Sequence, residues 1–278
     1  MKKCILWTIG VLLFSSCSKQ LQVVENSKDL TMENSQAAVS NSNLVNEYLE
    51  EARWGNVNAY MKLAECYHKG IGVKPDIMTS VAMLSVAKQY RWDCNLENYI
   101  EDLPETDDLR LIFETVGDLD HQRYEHADSI IEMMIANGSA NGYALKGVLQ
   151  IEQGDVIKGK QTIQMGAELG SSFAELMLCT IPERDEEGVR RLNIEMLAAL
   201  SDRAPLANQK LGDYYSGIED DHPIDVHLAA KYYQKADEQG CLGKRPAQWL
   251  LEYYQNEGIT IDSIEKRRLQ ILSGTLKN

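Results

Sequence analysis

The sequence predicts an all-α solenoid of about six antiparallel helix pairs, and three observations carry that prediction. Residues 59–87 read as helix, glycine turn, helix: Ala59, Leu63, Ala64 and Tyr67 form one apolar stripe at helical spacing, and Gly70 and Gly72 end it. The pattern returns along the chain, with first helices beginning near residues 59, 109, 144, 174, 207 and 247, a mean spacing in the thirties. No segment with strand periodicity competes.

The elements follow in order. Leu44, Tyr48, Leu49 and Ala52 begin the first helix, which Trp54-Gly55 closes. Asp76 is placed to cap the second helix of the opening pair, whose apolar face is Val81, Leu84 and Ala87. Cys94 to Leu103 reads as a short extra helix stopped by Pro104. Leu109, Ile112, Phe113 and Val116 form the next face, and Tyr124 to Ala136 a strongly amphipathic partner ended by Asn137-Gly138. Tyr143 to Asp155 is helix then glycine turn, and its partner runs from Val156 through Ile163 and Ala167 to Gly170. Phe173 to Leu178 starts another unit, interrupted at Pro182 and completed by Val189 to Leu200. Ala207, Leu211, Gly212 and Tyr215 repeat the offsets of the opening stripe, and Asp225 caps the helix that Gly240 closes. Ala247, Trp249, Leu250 and Tyr253 begin a last helix. Ile264 to Leu272 is a terminal cap with Lys266, Arg267 and Arg268 toward solvent.

The organisation divides into residues 1–16, 17–43 and 44–278. Lys2 and Lys3 precede an apolar run from Ile5 to Phe14, too short to span a bilayer, so residues 1–16 are expected to be a cleaved secretory signal. Ser18 to Asn43 is polar without an apolar period and is expected to be a flexible linker. Cleavage removes two lysines and no acid, leaving 26 basic against 42 acidic side chains, −16. So acidic a body excludes electrostatic binding of nucleic acid, which needs cationic surface, and docking on anionic lipid by charge. Of six cysteines, Cys66, Cys94, Cys179 and Cys241 lie in the folded part without metal-ligand spacing, and read as small buried apolar residues with one bridge open.

Two resemblances sharpen this reading. Phe14-Ser15-Ser16-Cys17 resembles the bacterial lipoprotein signal, which implies lipidation of Cys17. The absence of Asp after that cysteine then implies the outer membrane. Ala59, Leu63, Tyr67, Gly70, Gly72, Val73 and Asp76, with a partial copy over residues 207–240, resemble the Sel1-like repeat of the tetratricopeptide-repeat superfamily. That resemblance implies a right-handed superhelix whose concave groove, lined by first helices, takes a protein or peptide partner. Polar positions on those helices, Asn58, Lys62, Glu65, Asn208 and Asp213, are the candidate contacts. An adaptor is the function implied; a lipoprotein that neutralises a toxin or enzyme is the alternative.

No catalytic constellation competes. His121/His126 and His222/His227 are each five residues apart, off the i, i+4 spacing of helical metal pairs, and read as surface histidines. His68 sits at a helix end where a charged imidazole suits the dipole. Glu219-Asp220-Asp221-His222 lacks the oxygen alternation of a calcium loop, and Glu183 to Glu187 reads as an acidic helix start. Gly138-Ser139-Ala140-Asn141-Gly142 lacks the strand a nucleophile elbow needs. No enzyme activity, cofactor or metal site is expected. The pairs Tyr214-Tyr215, Tyr232-Tyr233 and Tyr253-Tyr254 should each place one ring in the core and one toward the surface, as packing or as binding anchors.

Overall fold

The computed structural model describes residues 36–90, 96–181, 183–184, 190–217 and 224–276. The expectations on the signal segment, Cys17, Cys94, Pro182, Val189 and the loop over 219–222 lie outside them. The described residues form fourteen helices. They are α1 (Gln36–Arg53), α2 (Val57–Lys69), α3 (Ile77–Tyr90), α4 (Leu96–Glu101), α5 (Asp108–Asp120), α6 (Tyr124–Ala136) and α7 (Ala140–Glu152). After these come α8 (Val156–Glu168), α9 (Ser172–Thr180), α10 (Ile194–Leu200), α11 (Pro205–Tyr215), α12 (Val226–Glu238), α13 (Lys244–Asn256) and α14 (Ser263–Leu272).

Successive helices pack in pairs, as an α-solenoid requires: α2 on α3, α5 on α6, α7 on α8, α11 on α12, α13 on α14. First helices also touch along the stack, α5 with α7, α7 with α9 and α11 with α13. Local chemistry sets the hairpins. Asn56 caps α2 by accepting from the amides of Asn58 and Ala59 at 3.0 and 3.4 Å. Gly70 ends α2 in the left-handed region at φ 71°, where an L side chain is strained and a Cβ would stand 2.7 Å from Pro75. Asp76 caps α3 as expected, accepting from the Met78 amide at 3.1 Å and the Thr79 hydroxyl at 2.6 Å. Asp225 does the same for α12 through His227 and Leu228.

Five expectations are corrected. The first helix starts at Gln36, ahead of Leu44, so part of the expected linker is helical; Gln-Ala-Ala-Val carries no helix breaker and propagates the turn of α1 backward. The unit after Pro182 has a second helix of seven residues only, because Asn193 caps it late through the Met196 amide. Ahead of it Glu183–Arg184 pairs antiparallel with Arg190–Arg191, so Glu183 opens no helix. In α3, burial is continuous from Met78 to Ala87 rather than confined to one stripe. Arg268 faces inward, 4% exposed.

The last two share a cause. The array does not run on as an open ribbon from its first hairpin. Instead α3 packs against α9 and α11 as well as α2, and Ser172 of α9 donates to Asp76 at 2.6 Å across 96 residues of chain. Tyr90 at the end of α3 donates to the Leu242 carbonyl at 2.5 Å. Leu49 of α1 closes on Gly240, where a Cβ would lie 2.5 Å from its methyl. Arg53 reaches Asp237 at 3.3 Å, and Arg268 reaches the Arg53 carbonyl at 3.0 Å. The N-terminal helices thus pack on the C-terminal hairpins, and one buried cluster runs from Val45 to Cys241.

Candidate interaction surfaces

The five polar positions expected in a groove do not form one. Asn58 is exposed at the start of α2, and Lys62 and Lys69 pair with Glu65 at 3.2 and 3.0 Å on the outer side of that helix. Partial burial lifts the Glu65 carboxyl, but the hydrogen bonds from Lys69 and Lys62 overcome it and hold the group below its ordinary range. Asn208 is fully buried: its amide donates to the Ser201 carbonyl and to Gln239, both at 2.6 Å. It is a core amide linking α11 to the end of α12, and the groove reading fails for it. Asp213 accepts the Tyr233 hydroxyl at 2.8 Å, and burial, with Asp213 beside it, pushes that phenol well above its ordinary value. The α2 and α11 sets are kept apart by α3, packed against both helices. Because α3 covers α9 and α11, both are buried around most of their circumference and present no open first-helix lining there.

The tyrosine pairs behave as expected in two cases. Tyr214 and Tyr233 are buried, while Tyr215 and Tyr232 are half-buried and stack on each other, centroids 6.0 Å apart and planes 8° off parallel. In the third pair both rings are half-buried. Tyr253 stacks on Trp249 at 5.4 Å and bonds His227 Nδ1 through its hydroxyl at 2.9 Å, and Tyr254 accepts from Gln234 at 2.8 Å. These rings are satisfied by one another, which is the packing reading.

Among the described histidines, His121, His126 and His227 are exposed, as expected, and His68 is half-buried. His68 Nε2 sits 3.0 Å from Asp107, the cap of α5, so it joins two helix ends instead of merely facing a dipole. His121 Nδ1 lies 2.7 Å from the Gly117 carbonyl and His126 pairs with Asp118. Among the described residues no group of three potential metal ligands assembles, and no helix is long and apolar enough to cross a membrane. Cys66, Cys179 and Cys241 are buried free thiols, and burial pushes Cys179 up to about 11 and Cys241 up to about 12.

What the surface does offer is a cleft that sequence reasoning missed. At the end of α1 and along α14, Trp54, Ser263, Ile264, Arg267 and Ile271 line an open space of about 500 Å³. Trp54 is 37% and Ile264 66% exposed. The wall is rigid, because directly beneath it Arg268 bonds both oxygens of Asp237, both oxygens of Glu265 and the Arg53 carbonyl. Arg267 points the other way from its neighbour and makes no hydrogen bond or ion pair among the described residues. Sequence held a partial signal, since Trp54 closes a helix; the partner wall came from more than two hundred residues away.

No family model matches the chain, and no curated protein matches it. Among solved structures, it is similar to a protective antigen present in uropathogenic Escherichia coli strains that displays an SLR fold. The identity is 18% and the TM-score 0.38, over 85% of this chain and 50% of that one. It is also similar to a Sel1 repeat protein from Oxalobacter formigenes, at 15% identity and TM-score 0.40, over 88% of this chain and 98% of that one. The chain thus spans about half the length of the first of these structures and nearly all of the second.

Proposed function

We propose that the chain is a non-enzymatic protein-interaction scaffold held at the cell envelope by a lipid on Cys17, with the outer membrane as its site. The observation that carries the binding reading is the exposed Trp54–Ile264–Arg267–Ile271 cleft on the helical repeat body. Large aromatic and arginine side chains are the ones that dominate protein–protein contacts, and a wall fixed beforehand loses little entropy on binding. The sequence Phe14-Ser15-Ser16-Cys17 supports the anchor, and the folded body's acidity supports contact with lipid through acyl chains alone.

Affinity capture from solubilised envelope, with the mature protein as bait, tests the scaffold reading. A partner that is retained by the native protein and lost with Trp54→Ala supports it. Capture of no partner by the native bait contradicts it. Membrane fractionation tests the anchor: Cys17→Ala should move the protein to the soluble fraction, and unchanged partitioning refutes lipidation.

A further inference from the structure

Resting on the scaffold reading, we propose that the α1/α14 cleft receives an internal segment of a partner protein in which a large apolar side chain stands next to a Glu or Asp. The apolar half follows from the lining. Trp54, Ile264 and Ile271 converge there, two of them large side chains left substantially in water. Covering such area is favourable at about 25 cal/mol per Å², and an indole wall favours a planar or branched apolar partner.

The acidic half follows from charge. The chain carries a net −14, yet the one charged residue in the lining is Arg267. Its guanidinium is exposed and has no hydrogen bond or ion pair among the described residues, whereas its neighbour Arg268 is consumed by Asp237 and Glu265. An unpaired arginine beside an indole is complementary to a carboxylate that arrives attached to an apolar group.

The carboxylate is a side chain of an internal segment, not a chain terminus. Terminal carboxylates are held by nests of backbone amides. Here the first amides of α14, on Ile264 and Glu265, are already taken by Asp262 at 2.9 and 2.8 Å. That leaves the Arg267 side chain as the charged donor of the lining, and an open cleft admits a chain passing through.

The test uses the mature protein and three small probes: acetyl-leucyl-glutamyl amide, acetyl-leucyl-glutaminyl amide, and acetyl-leucine with its free carboxylate. The Trp54 indole N–H resonance reports occupancy, with the Trp249 indole as the internal reference. The glutamyl probe should move the Trp54 signal saturably and leave Trp249 still. Arg267→Gln should weaken that probe by about threefold to fivefold, the worth of one exposed ion pair, and should not weaken the glutaminyl probe. An unchanged thermal transition for Arg267→Gln, a solvent-facing change, shows that the fold is not the cause. Equal binding of glutamyl and glutaminyl probes overturns the proposal. So does an unmoved Trp54, or tighter binding of free acetyl-leucine. A captured envelope partner that Arg267→Gln still retains, together with a failed probe titration, would sink this site while leaving the scaffold reading standing elsewhere on the surface.

Discussion

Arg268 holds Asp237 in a two-pronged bond, 2.7 and 2.6 Å, from a side chain only 4% exposed. Burial alone would make the guanidinium easier to deprotonate, but the bonds to Glu265 and Asp237 outweigh it and raise its pKa. The pair ties the terminal helix α14 to α12, and Arg53 of α1 joins through the same carboxylate at 3.3 Å.

Removing one member therefore strands the other. Arg268→Met should destabilise the protein by about 3–5 kcal/mol, because Asp237 is left buried with only a long contact to Arg53. Adding Asp237→Leu should recover part of that loss, since an apolar pair of similar volume avoids the desolvation cost. Urea unfolding midpoints of the two single variants and the double variant make the comparison. A loss near zero for Arg268→Met would mean that the side chain faces solvent, as the sequence alone suggested.

Asn208 separates a folding role from a binding role. Asn208→Ala leaves Gln239 without its buried donor and should cost about 1–3 kcal/mol. A variant that unfolds at the native midpoint but loses an envelope partner would restore the groove reading for this residue.

Helices α7 and α8 cross at Gly147 and Gly159. A Cβ on Gly147 would stand 2.4 Å from the Gly159 carbonyl oxygen, a backbone atom that cannot swing away. Alanine normally favours a helix over glycine by about 1 kcal/mol. Here Gly147→Ala should instead destabilise, by roughly 1–3 kcal/mol from overpacking. Thermal unfolding gives the sign directly.

The buried thiols give a pH signature. With Cys179 raised to about 11 and Cys241 to about 12 from an ordinary 9.0, the native protein keeps both protonated where the unfolded chain would ionise them. Their contribution is therefore intact below pH about 9 and drains as pH climbs toward 11 and 12, by up to about 1.4 kcal/mol per pH unit for each thiol. Buried phenols raised by the same cause, at Tyr90 and Tyr233, act in the same direction. Stability should hold at about pH 8 and fall by about pH 10. The fall should be smaller in Cys241→Ala. A thiol reagent at neutral pH should label both cysteines only as fast as the protein opens.

Much of the architecture was written locally. Helix period, glycine turns and the caps Asp76 and Asp225 act within a few residues, so α2, α3, α11 and α12 stand close to where the pattern put them. Arg268 shows where that legibility ends. Next to Lys266 and Arg267 it reads as one more solvated base, and only the arrival of Asp237 from 31 residues away turns it inward. Asn208 and α3 fail for the same reason. A polar residue on a first helix and an apolar stripe on a second say nothing of which distant helix will cover them. The cleft was hidden most thoroughly, since Trp54 and Ile271 meet only once the N-terminal helix has packed on the last hairpin.

That packing is the centre of the account, and hydrogen exchange of the α3 amides tests it most directly. In an open solenoid the terminal hairpins touch one neighbour and fray first. With α3 buried against α2, α9 and α11, its amides from Met78 to Ala87 should be among the slowest in the molecule, exchanging only through global unfolding. Fast exchange of α3 ahead of α7 and α8 would contradict it, and would mean that the first hairpin stands free at the end of the array.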